Sequence, residues 1–253
     1  MFELARLRVT AGKRAILTVD ELRLYHGELV TIAGANGAGK STLLSVLSGL
    51  RQQFSGSCLY LGRDVREWPR RDFARKVTVV TQSHPVPFPF KVEEVVLMGR
   101  TPHANGWFES PEDLAAVEEA LERTGSSTLR GRDFRTLSGG EQQRVILAAA
   151  LAQHTEVLLL DEPSSFLDLH HQIQLYKLLS ELRDSGRLIV MITHDLNLAM
   201  AHSDRLLLLQ AGALVADGPA ERVMTAEMIR NVFGVETQLQ RSVSGGLWMH
   251  YGV

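Results

Sequence analysis

The chain contains Gly34-Ala35-Asn36-Gly37-Ala38-Gly39-Lys40-Ser41, a glycine-rich segment between a short apolar run, residues 29–33, and a leucine-containing stretch, residues 41–50. The apolar run has the composition of a buried strand, and the leucines recur with the spacing of a helix. Glycines at such a junction allow a tight turn whose backbone N–H groups point at an anion. The order of strand, loop and helix therefore predicts a phosphate-binding loop.

Two side chains give this loop its chemistry. Lys40 is placed to reach the terminal phosphates of a nucleotide, and the hydroxyl of Ser41 can bind Mg²⁺. The flanking strand and helix make an accidental match to the glycine pattern rare. The predicted nucleotide-binding residues of the loop and the first helical turn are Gly34, Ala35, Asn36, Gly37, Ala38, Gly39, Lys40, Ser41 and Thr42.

A second glycine-rich segment, Leu137-Ser138-Gly139-Gly140-Glu141-Gln142, follows about a hundred residues later. Taken alone it is a weak signal, because clusters of serine and glycine are usually turns. It also has the form of a helix start, where backbone N–H groups can bind phosphate. The two segments together suggest a nucleotide held between two surfaces.

Acidic and histidine side chains follow two strands later in the chain. Residues 157–160 and 188–192 are apolar runs typical of buried strands, and a helix is predicted for residues 173–182 between them. Asp161 and Glu162 follow the first strand, and His194 follows the second. Because ligands gather at the carboxyl ends of parallel strands, these residues predict a hydrolytic site.

The two neighbouring carboxylates can divide the chemistry of this site. Asp161 can hold Mg²⁺ together with Ser41, since this ion takes few protein ligands and keeps several waters. Glu162 is then free to orient or deprotonate the attacking water, while Lys40 stabilises the charge on the phosphoryl group. The alternative is that Asp161 and Glu162 are only a polar strand end.

Composition narrows the class of protein. The 253 residues carry a net charge of −2, which argues against a nucleic-acid binder that relies on a broad basic face. One cysteine, Cys58, excludes an intrachain disulfide framework. The longest apolar run, residues 145–152, is too short to span a membrane, so we expect any membrane role to come through a partner. A basic cluster is predicted to be a solvated surface, and its members are Arg63, Arg66, Arg70, Arg71, Arg75 and Lys76.

The remaining segments complete the predicted order of elements. Residues 2–9 and 14–24 have the pattern of an antiparallel sheet, followed by strands at 57–61 and 77–80. Prolines at 85, 87 and 89 predict an extended connector over residues 83–90. Beyond it, Ser110 and Pro111 have the features of a helix start. The residues predicted to face the core from that helix are Leu114, Val117 and Leu121.

These motifs, in this order, resemble those of ABC transporter ATPase subunits over nearly the whole chain. Besides the two glycine-rich segments, the family has a glutamine loop (Gln82), a strand that ends in Asp161-Glu162, a Ser-x-Leu-Asp loop (residues 165–168) and a switch histidine (His194). The resemblance implies that Gln82 senses the γ-phosphate and Mg²⁺, and that His194 contacts the γ-phosphate. The implied catalytic residues are Glu162, His194, Lys40 and Gln82, the implied metal ligands are Ser41, Gln82 and Asp161, and the further nucleotide contacts are Ser138, Gly139, Gly140, Glu141 and Asp168.

The resemblance also implies a fold and an assembly. The expected fold is α/β, a P-loop NTPase core with a mostly parallel sheet, an antiparallel β subdomain and a helical subdomain insertion. Residues 1–253 would form one ABC ATPase domain, with a catalytic core at 1–90 and 155–253 and a helical part at approximately 91–154. Two copies would pack head to tail around two ATP molecules, with Ser138 of one copy facing the P-loop of the other and Asp168 at the seam.

The likeness is greatest to ATPases that serve the uptake of iron-siderophores, haem and cobalamin. It depends on residues 92–96 and 99–103, on Leu167-Asp168-Leu169-His170-His171-Gln172, and on a short tail near residues 243–245. It implies membrane permease partners, an indirect link to a cargo-binding protein, no nucleic-acid partner, and a peripheral place on the cytoplasmic face of the inner membrane. The alternatives are an ATPase of export or lipid extraction and, with less support, a nucleic-acid- or ribosome-associated ATPase.

One position departs from the family pattern. Where family members place an aromatic residue that stacks on adenine, this chain has Ala11-Gly12. We therefore predict that ATP and GTP are discriminated weakly. Competitive binding measures this directly, and an ATP preference of about a hundredfold, equal to about 2.7 kcal/mol, would contradict it.

Overall fold

The structure, a computed structural model, describes residues 1–82, 88–106, 108–241 and 246–252. The predicted connector falls largely on residues 83–87, and the tail near 243–245 also lies outside the described residues. The strands are β1 (Phe2–Ala11), β2 (Arg14–Leu24), β3 (Leu29–Gly34), β4 (Ser55–Tyr60), β5 (Arg63–Asp64), β6 (Val77–Val80), β7 (Val157–Asp161), β8 (Leu188–Ile192), β9 (Arg205–Gln210), β10 (Ala213–Gly218), β11 (Thr237–Arg241) and β12 (Leu247–Tyr251).

The helices lie mainly between β6 and β7 and beside the parallel strands. They are α1 (Lys40–Leu47), α2 (Arg70–Ala74), α3 (Val92–Leu97), α4 (Pro111–Arg123), α5 (Gly139–Ala152), α6 (Leu169–Asp184), α7 (Leu196–His202), α8 (Ala220–Val223) and α9 (Ala226–Phe233). Among the described residues, no helix combines the length and the apolar composition needed to cross a bilayer.

One curled mixed sheet contains ten of these strands, in the order β5-β4-β1-β2-β10-β9-β3-β8-β7-β6. From β9 to β6 the neighbours are parallel, and from β5 to β2 they are antiparallel. The antiparallel part is continuous with the rest through β10, where Ala213 pairs with Thr18. Strands β11 and β12 form a separate two-stranded antiparallel sheet. The predicted α/β fold class, with a mostly parallel core and an antiparallel part, is confirmed.

The central strands are apolar because both of their faces are covered. Every residue of β3, β7 and β8 is buried. One face of the sheet packs on α1, and the other packs on α5 and α6. The buried residues of α5 and α6 share one core with those of α3 and α4, and we call the part of the chain from α3 to α5 the helical segment. Continuous apolar runs are typical of such two-sided strands. This arrangement places the carboxyl ends of β3, β7 and β8 along one edge of the core.

Two predicted helices have different ends in the structure. Helix α1 ends at Leu47 rather than Leu50, because Gly49 adopts a left-handed conformation with φ of 68°. Helix α6 begins at Leu169, four residues before the predicted start, because the carboxylate of Asp168 accepts the backbone N–H of His171 and caps the helix. His170 and His171 therefore lie in the first turn of α6.

Helix α4 corrects the expectation for Leu114, which is exposed while Val117 and Leu121 are buried. Asp113 occupies the inward position instead. Its carboxylate accepts from the guanidinium of Arg100 at 2.8 Å and, through the other oxygen, from the backbone N–H of Ser110 at 3.2 Å. The buried face of α4 therefore begins at Asp113 and continues at every third or fourth residue through Val117 to Leu121. A search for apolar residues alone misses its polar first position.

The Arg100–Asp113 pair predicts a pH-dependent contribution to stability. Hydrogen bonding to the Arg100 guanidinium is the main cause that holds the pKa of Asp113 below its ordinary value. A lowered pKa gives stability that is present above the ordinary carboxyl range and is lost as pH falls through the native value. We expect Asp113→Asn to lower the free energy of unfolding by about 2 kcal/mol at neutral pH. The loss should shrink below about pH 4.

Urea unfolding at the two pH values measures this difference. Glu122→Gln is the matched control, since Glu122 is an exposed carboxylate later in α4, and its change should stay within about 0.5 kcal/mol. An equal loss for Asp113→Asn at both pH values would show that the ion pair is not its cause.

Part of the predicted basic surface is used in internal contacts. The guanidinium groups of Arg71 and Arg75 both donate to the carbonyl of Pro102, at 2.9 and 2.8 Å, so α2 is joined to the loop between α3 and α4. Arg66 pairs with Asp64, and this cluster also includes the ion pair of Lys76 with Glu156. The expectation of a solvated surface holds for Arg71, which is exposed, and is wrong for the half-buried Arg75. Both side chains connect α2 to the segment between α3 and α4.

The thiol of Cys58 lies in β4 with none of its surface exposed. Desolvation in the apolar core raises its pKa to about 12. Since the thiolate is the reactive form of cysteine, this residue behaves as a small apolar core side chain.

Candidate nucleotide-hydrolysis site

The glycine-rich loop after β3 is tightly packed against β9 and β2. A side chain at Gly34, where φ is 150°, would place its Cβ 2.2 Å from the carbonyl oxygen of Leu209. At Gly39, where φ is 99°, the Cβ would lie 2.9 Å from the carbonyl oxygen of Ile16. Both positions therefore need glycine for their backbone conformation and for space.

The start of α1 has open hydrogen-bond donors. Gly39 caps the helix in a left-handed conformation and has no side chain to accept from the first turn. Ala35, Asn36 and Gly37 are exposed in the loop before it. Because the first N–H groups of a helix lack partners within it, this end is suited to bind an anion. The predicted phosphate loop thus has the backbone geometry that the sequence implies.

The ammonium group of Lys40 is directed back over this loop. It donates to the carbonyl oxygens of Gly34 at 2.8 Å and Ala35 at 3.1 Å, and the side chain is buried. Burial lowers the pKa of Lys40 below its ordinary value, while Glu162 and Asp161 act in the opposite direction. A buried cation held by neutral carbonyls is well placed to exchange them for phosphate oxygens.

Asp161 ends β7 beside the loop, with the hydroxyl of Ser41 close to its carboxylate. Burial raises the pKa of Asp161 above its ordinary value, against the opposing effects of Ser41 and Lys40. Within the described ranges, no group of three His, Cys, Asp or Glu side chains is arranged to hold a metal ion. Mg²⁺ does not require such a group, and one hydroxyl with one carboxylate fits its usual protein ligands.

Glu162 is the centre of a cluster from three separate parts of the chain. Its carboxylate accepts from Nε2 of Gln82 at 3.0 Å, from Nε2 of His194 at 2.8 Å and from Oγ of Ser165 at 3.2 Å. The Glu162 side chain is mostly buried and that of His194 is half-exposed. Three predicted catalytic residues, Glu162, Gln82 and His194, therefore lie in contact at the carboxyl ends of β6, β7 and β8.

Glu162 also has an unusual backbone. Its φ is 53°, in the left-handed region that a non-glycine residue seldom adopts, and its N–H donates to the carbonyl of Ile192 in β8 at 3.0 Å. Such backbone strain is kept only where the surrounding structure enforces it, and it concentrates at functional sites. Here the left-handed conformation of Glu162 ends β7 directly after Asp161.

The second glycine-rich segment forms the start of α5. Ser138 caps the helix by accepting from the N–H of Glu141, whose carboxylate accepts from the N–H of Ser138 at 2.8 Å and from its hydroxyl at 2.9 Å. The backbone N–H of Ser138 is the main cause that lowers the pKa of Glu141. The sequence expectation of a helix start is confirmed, with Glu141 used in the cap.

The two glycine-rich segments have different neighbours within one chain. The nearest atoms to Gly34 and Gly39 belong to the loop itself, β2, β9 and the turn after β9, whereas those to Gly139 and Gly140 belong to residues 166–167. A cavity of about 540 Å³ lies in front of the second segment, and its lining includes Ser138, Phe166 and Asp168. That the second segment meets the nucleotide of another copy stays a prediction.

Ala11 lies at the end of β1 next to the exposed turn to β2, and Ile16 near that end of β2 approaches the phosphate loop. Tyr25 follows the opposite end of β2. A strand of this length spans roughly 30 Å, so Tyr25 lies too far away to replace the missing aromatic residue. The weak discrimination between ATP and GTP stays a prediction. The position of Tyr25 excludes this residue as the aromatic side chain that stacks on adenine.

Sequence reasoning did not find every side chain that organises the site. It gave no role to Ser165, Phe166, His171 or Arg144. Ser165 and Phe166 lie inside a motif that was recognised, yet their roles are visible only from contacts. His171 and Arg144 contact each other across 27 positions of sequence, for which no local pattern exists.

Comparison with known proteins agrees with this geometry. Residues 17–165 match the family model described as ABC transporter. The hemin import ATP-binding protein HmuV of Streptomyces coelicolor is 43% identical over 227 residues, covering 90% of this chain and 81% of the relative. The iron(3+)-hydroxamate import ATP-binding protein FhuC of Bacillus subtilis is 36% identical over 236 residues, covering 92% of this chain and 88% of the relative.

Solved structures give the same result. A chain of an inward-facing structure described as a metal-chelate type ABC transporter has a TM-score of 0.83 and 27% identity, covering 99% of this chain and 96% of that one. A dimeric ATP-binding cassette in a post-hydrolysis state, bound to ADP and Pi, has a TM-score of 0.77 and 26% identity, covering 87% and 98%. This chain therefore belongs to the ABC transporter family, as one of its ATP-hydrolysing domains.

Proposed function

We propose that this chain is the ATPase subunit of an importer for an iron chelate or haem, and that it works as a head-to-tail pair on a membrane permease. The observation that carries the proposal is the identity of 36–43% to hemin and iron-hydroxamate import ATP-binding proteins over at least nine-tenths of the chain. The proposed place is the cytoplasmic face of the inner membrane. The cargo would reach the permease through a cargo-binding protein.

The mechanism assigns each group at the carboxyl ends of the strands a role. Lys40 would exchange the carbonyls of Gly34 and Ala35 for terminal phosphate oxygens of ATP, with the N–H groups of the first turn of α1 beside it. Ser41 and Asp161, with Gln82 nearby, would hold Mg²⁺, which supplies charge neutralisation at the phosphates. The fit rests on the buried Asp161 carboxylate beside the Ser41 hydroxyl.

Glu162 is the proposed general base. A proton from the attacking water would pass to a carboxylate oxygen of Glu162, which requires that its hydrogen bonds to Gln82, His194 and Ser165 rearrange when ATP is bound. His194 is half-exposed, so its Nε2–H can turn from Glu162 to the γ-phosphate. The same Nε2–H cannot serve both acceptors well, which makes this histidine responsive to the nucleotide.

The proposed permease contact is on the helical segment. Phe108 is 90% exposed and Met98 is exposed beside it, along a groove that also includes Leu97 and Thr101. An exposed apolar surface on a soluble domain favours binding to a partner. Met98 and Phe108 lie between α3 and α4, on the segment that separates these two helices.

Purification of the tagged chain from detergent-solubilised native membranes tests this function. We expect a polytopic permease to co-purify, and the complex in liposomes to take up haem or a ferric hydroxamate only with ATP. Phe108→Asp should lose the permease and keep its ATPase activity. Leu61→Asp, which changes an exposed apolar side chain outside this groove, should retain both. Cargo movement in the export direction, or recovery of ribosomes or DNA alone, would overturn the proposal.

A further inference from the structure

The side chain of His171 joins two segments that lie apart in sequence. Oδ1 of Asp168 accepts from the backbone N–H of His171 at 2.9 Å and from its ring Nδ1 at 2.8 Å. On the other side of the ring, Nε2 contacts the guanidinium of Arg144 in α5. One imidazole thus connects the loop before α6 to the helix that begins after Ser138.

A second contact lies on the same face of α5. Gly140 and Arg144 are four positions apart, so they are on one side of the helix. A Cβ at Gly140 would lie 2.9 Å from the carbonyl oxygen of Phe166, which shows how closely the loop approaches there. Phe166 has a φ of 66° and an exposed ring. The loop is therefore held against α5 at two points, Gly140 and Arg144.

The chemistry of the three groups fixes the proton on the ring. A guanidinium only donates hydrogen bonds, so Nε2 of His171 must be the unprotonated acceptor. Nδ1 then carries the proton and donates to the carboxylate of Asp168. The backbone N–H of His171, followed by its ring, lowers the pKa of Asp168, so that this acceptor stays ionised. The chain of hydrogen bonds runs in one direction, from Arg144 through His171 to Asp168.

We propose that His171 is a positioning residue that fixes the Asp168 loop against the start of α5, so that one copy presents Ser138 and Asp168 to its partner's nucleotide as a rigid unit. The proposal rests on the head-to-tail pair proposed above. The contacts found for Lys40 and Glu162 do not include His171. ATP binding by a single copy should therefore be independent of it.

Steady-state kinetics of His171→Phe distinguish ATP binding by one copy from completion of the site by its partner. We expect kcat to fall about tenfold with the KM for ATP within about twofold, because a hydrogen bond to a charged group is lost while the phosphate loop is unchanged. His170→Phe is the matched control, since the exposed neighbour bonds Gln174 rather than Arg144. It should behave as the unmodified chain. Arg144→Met should add little to His171→Phe, since both remove the same contact.

Conservative variants distinguish positioning from a general loss of stability. The amide oxygen of His171→Gln can take the place of Nε2 and accept from Arg144, so this variant should recover most of kcat. His171→Asn reaches Asp168 alone and should not. All of these variants should unfold at similar temperatures. Equal kcat for His171→Gln and His171→Phe, or a loss that follows the unfolding temperature, would overturn the proposal.

Measuring dimer formation tests the positioning role of His171 separately from the head-to-tail pair on which it rests. With Glu162→Gln as the background and ATP present, His171→Phe should weaken the dimer about tenfold. If Glu162→Gln dimerises equally well with and without His171, only the positioning role is wrong. If Glu162→Gln does not dimerise with ATP at all, the head-to-tail pair and the role of His171 are both wrong.

Discussion

Glu162→Gln is expected to bind ATP, to hydrolyse it at least about a hundredfold more slowly than the unmodified chain, and to accumulate as a stable dimer. The amide keeps the size of the side chain and can still meet Gln82, His194 and Ser165, so the cluster should persist. It cannot take a proton from water. Single-turnover hydrolysis and light scattering with ATP measure the two effects.

Ser165→Ala is the control for this variant. It removes one hydrogen bond of 3.2 Å from Glu162 and leaves the carboxylate in place, so hydrolysis should fall only a few-fold. A Glu162→Gln protein that remains monomeric with ATP would contradict the proposed pairing of two copies around ATP. One that hydrolyses ATP at the unmodified rate would show that another group is the base.

Two inactive variants are expected to form an active site when mixed. Lys40→Ala removes the cation of the phosphate loop, and Gly140→Asp disrupts the α5 start, where even a Cβ approaches the Phe166 carbonyl. In a head-to-tail pair, the mixed dimer has one site built from the intact loop of one copy and the intact α5 of the other. Random pairing would restore up to about a quarter of the unmodified sites.

Trapping of labelled ATP in the mixture counts these sites. Each variant alone should trap almost none, and activity should appear only after the two are mixed. Mixing Lys40→Ala with Asp161→Ala is the matched control, because both changes affect the same half of a site and cannot complement. If the first mixture also traps nothing while dimers form, each copy uses its own α5 and the head-to-tail arrangement is wrong.

Much of the fold follows from local patterns in the sequence. The apolar runs at 157–160 and 188–192 predict buried parallel strands, and the structure has strands within one residue of those limits. Leu114 shows where this fails. Its apolar character favours the core, but the adjacent Asp113 is buried by its pairing with Arg100, which comes from another part of the chain. Pairing over such distances leaves no periodic signal.

The candidate site likewise has a part that local sequence patterns predict and a part that only the fold shows. Each motif is local, so the phosphate loop, the acidic strand end and His194 could be found one by one. Their meeting at Glu162 required a fold, because Gln82 is 80 positions away from it and His194 is 32 positions away. The link from Arg144 to His171 lies beyond local patterns for the same reason. The resemblance to the family predicts the roles of these residues, and the contacts in the structure show how they are arranged around Glu162.

The burial of Cys58 has a practical consequence for measuring the seam between copies. Maleimides and spin labels react with thiolates, and a thiol with a pKa near 12 and no exposed surface presents almost none at neutral pH. Since the sequence has one cysteine, a residue changed to cysteine at the surface becomes the only labelled position. Distances between two such probes, one on each copy, can therefore be followed through a cycle of ATP hydrolysis without removing the natural residue.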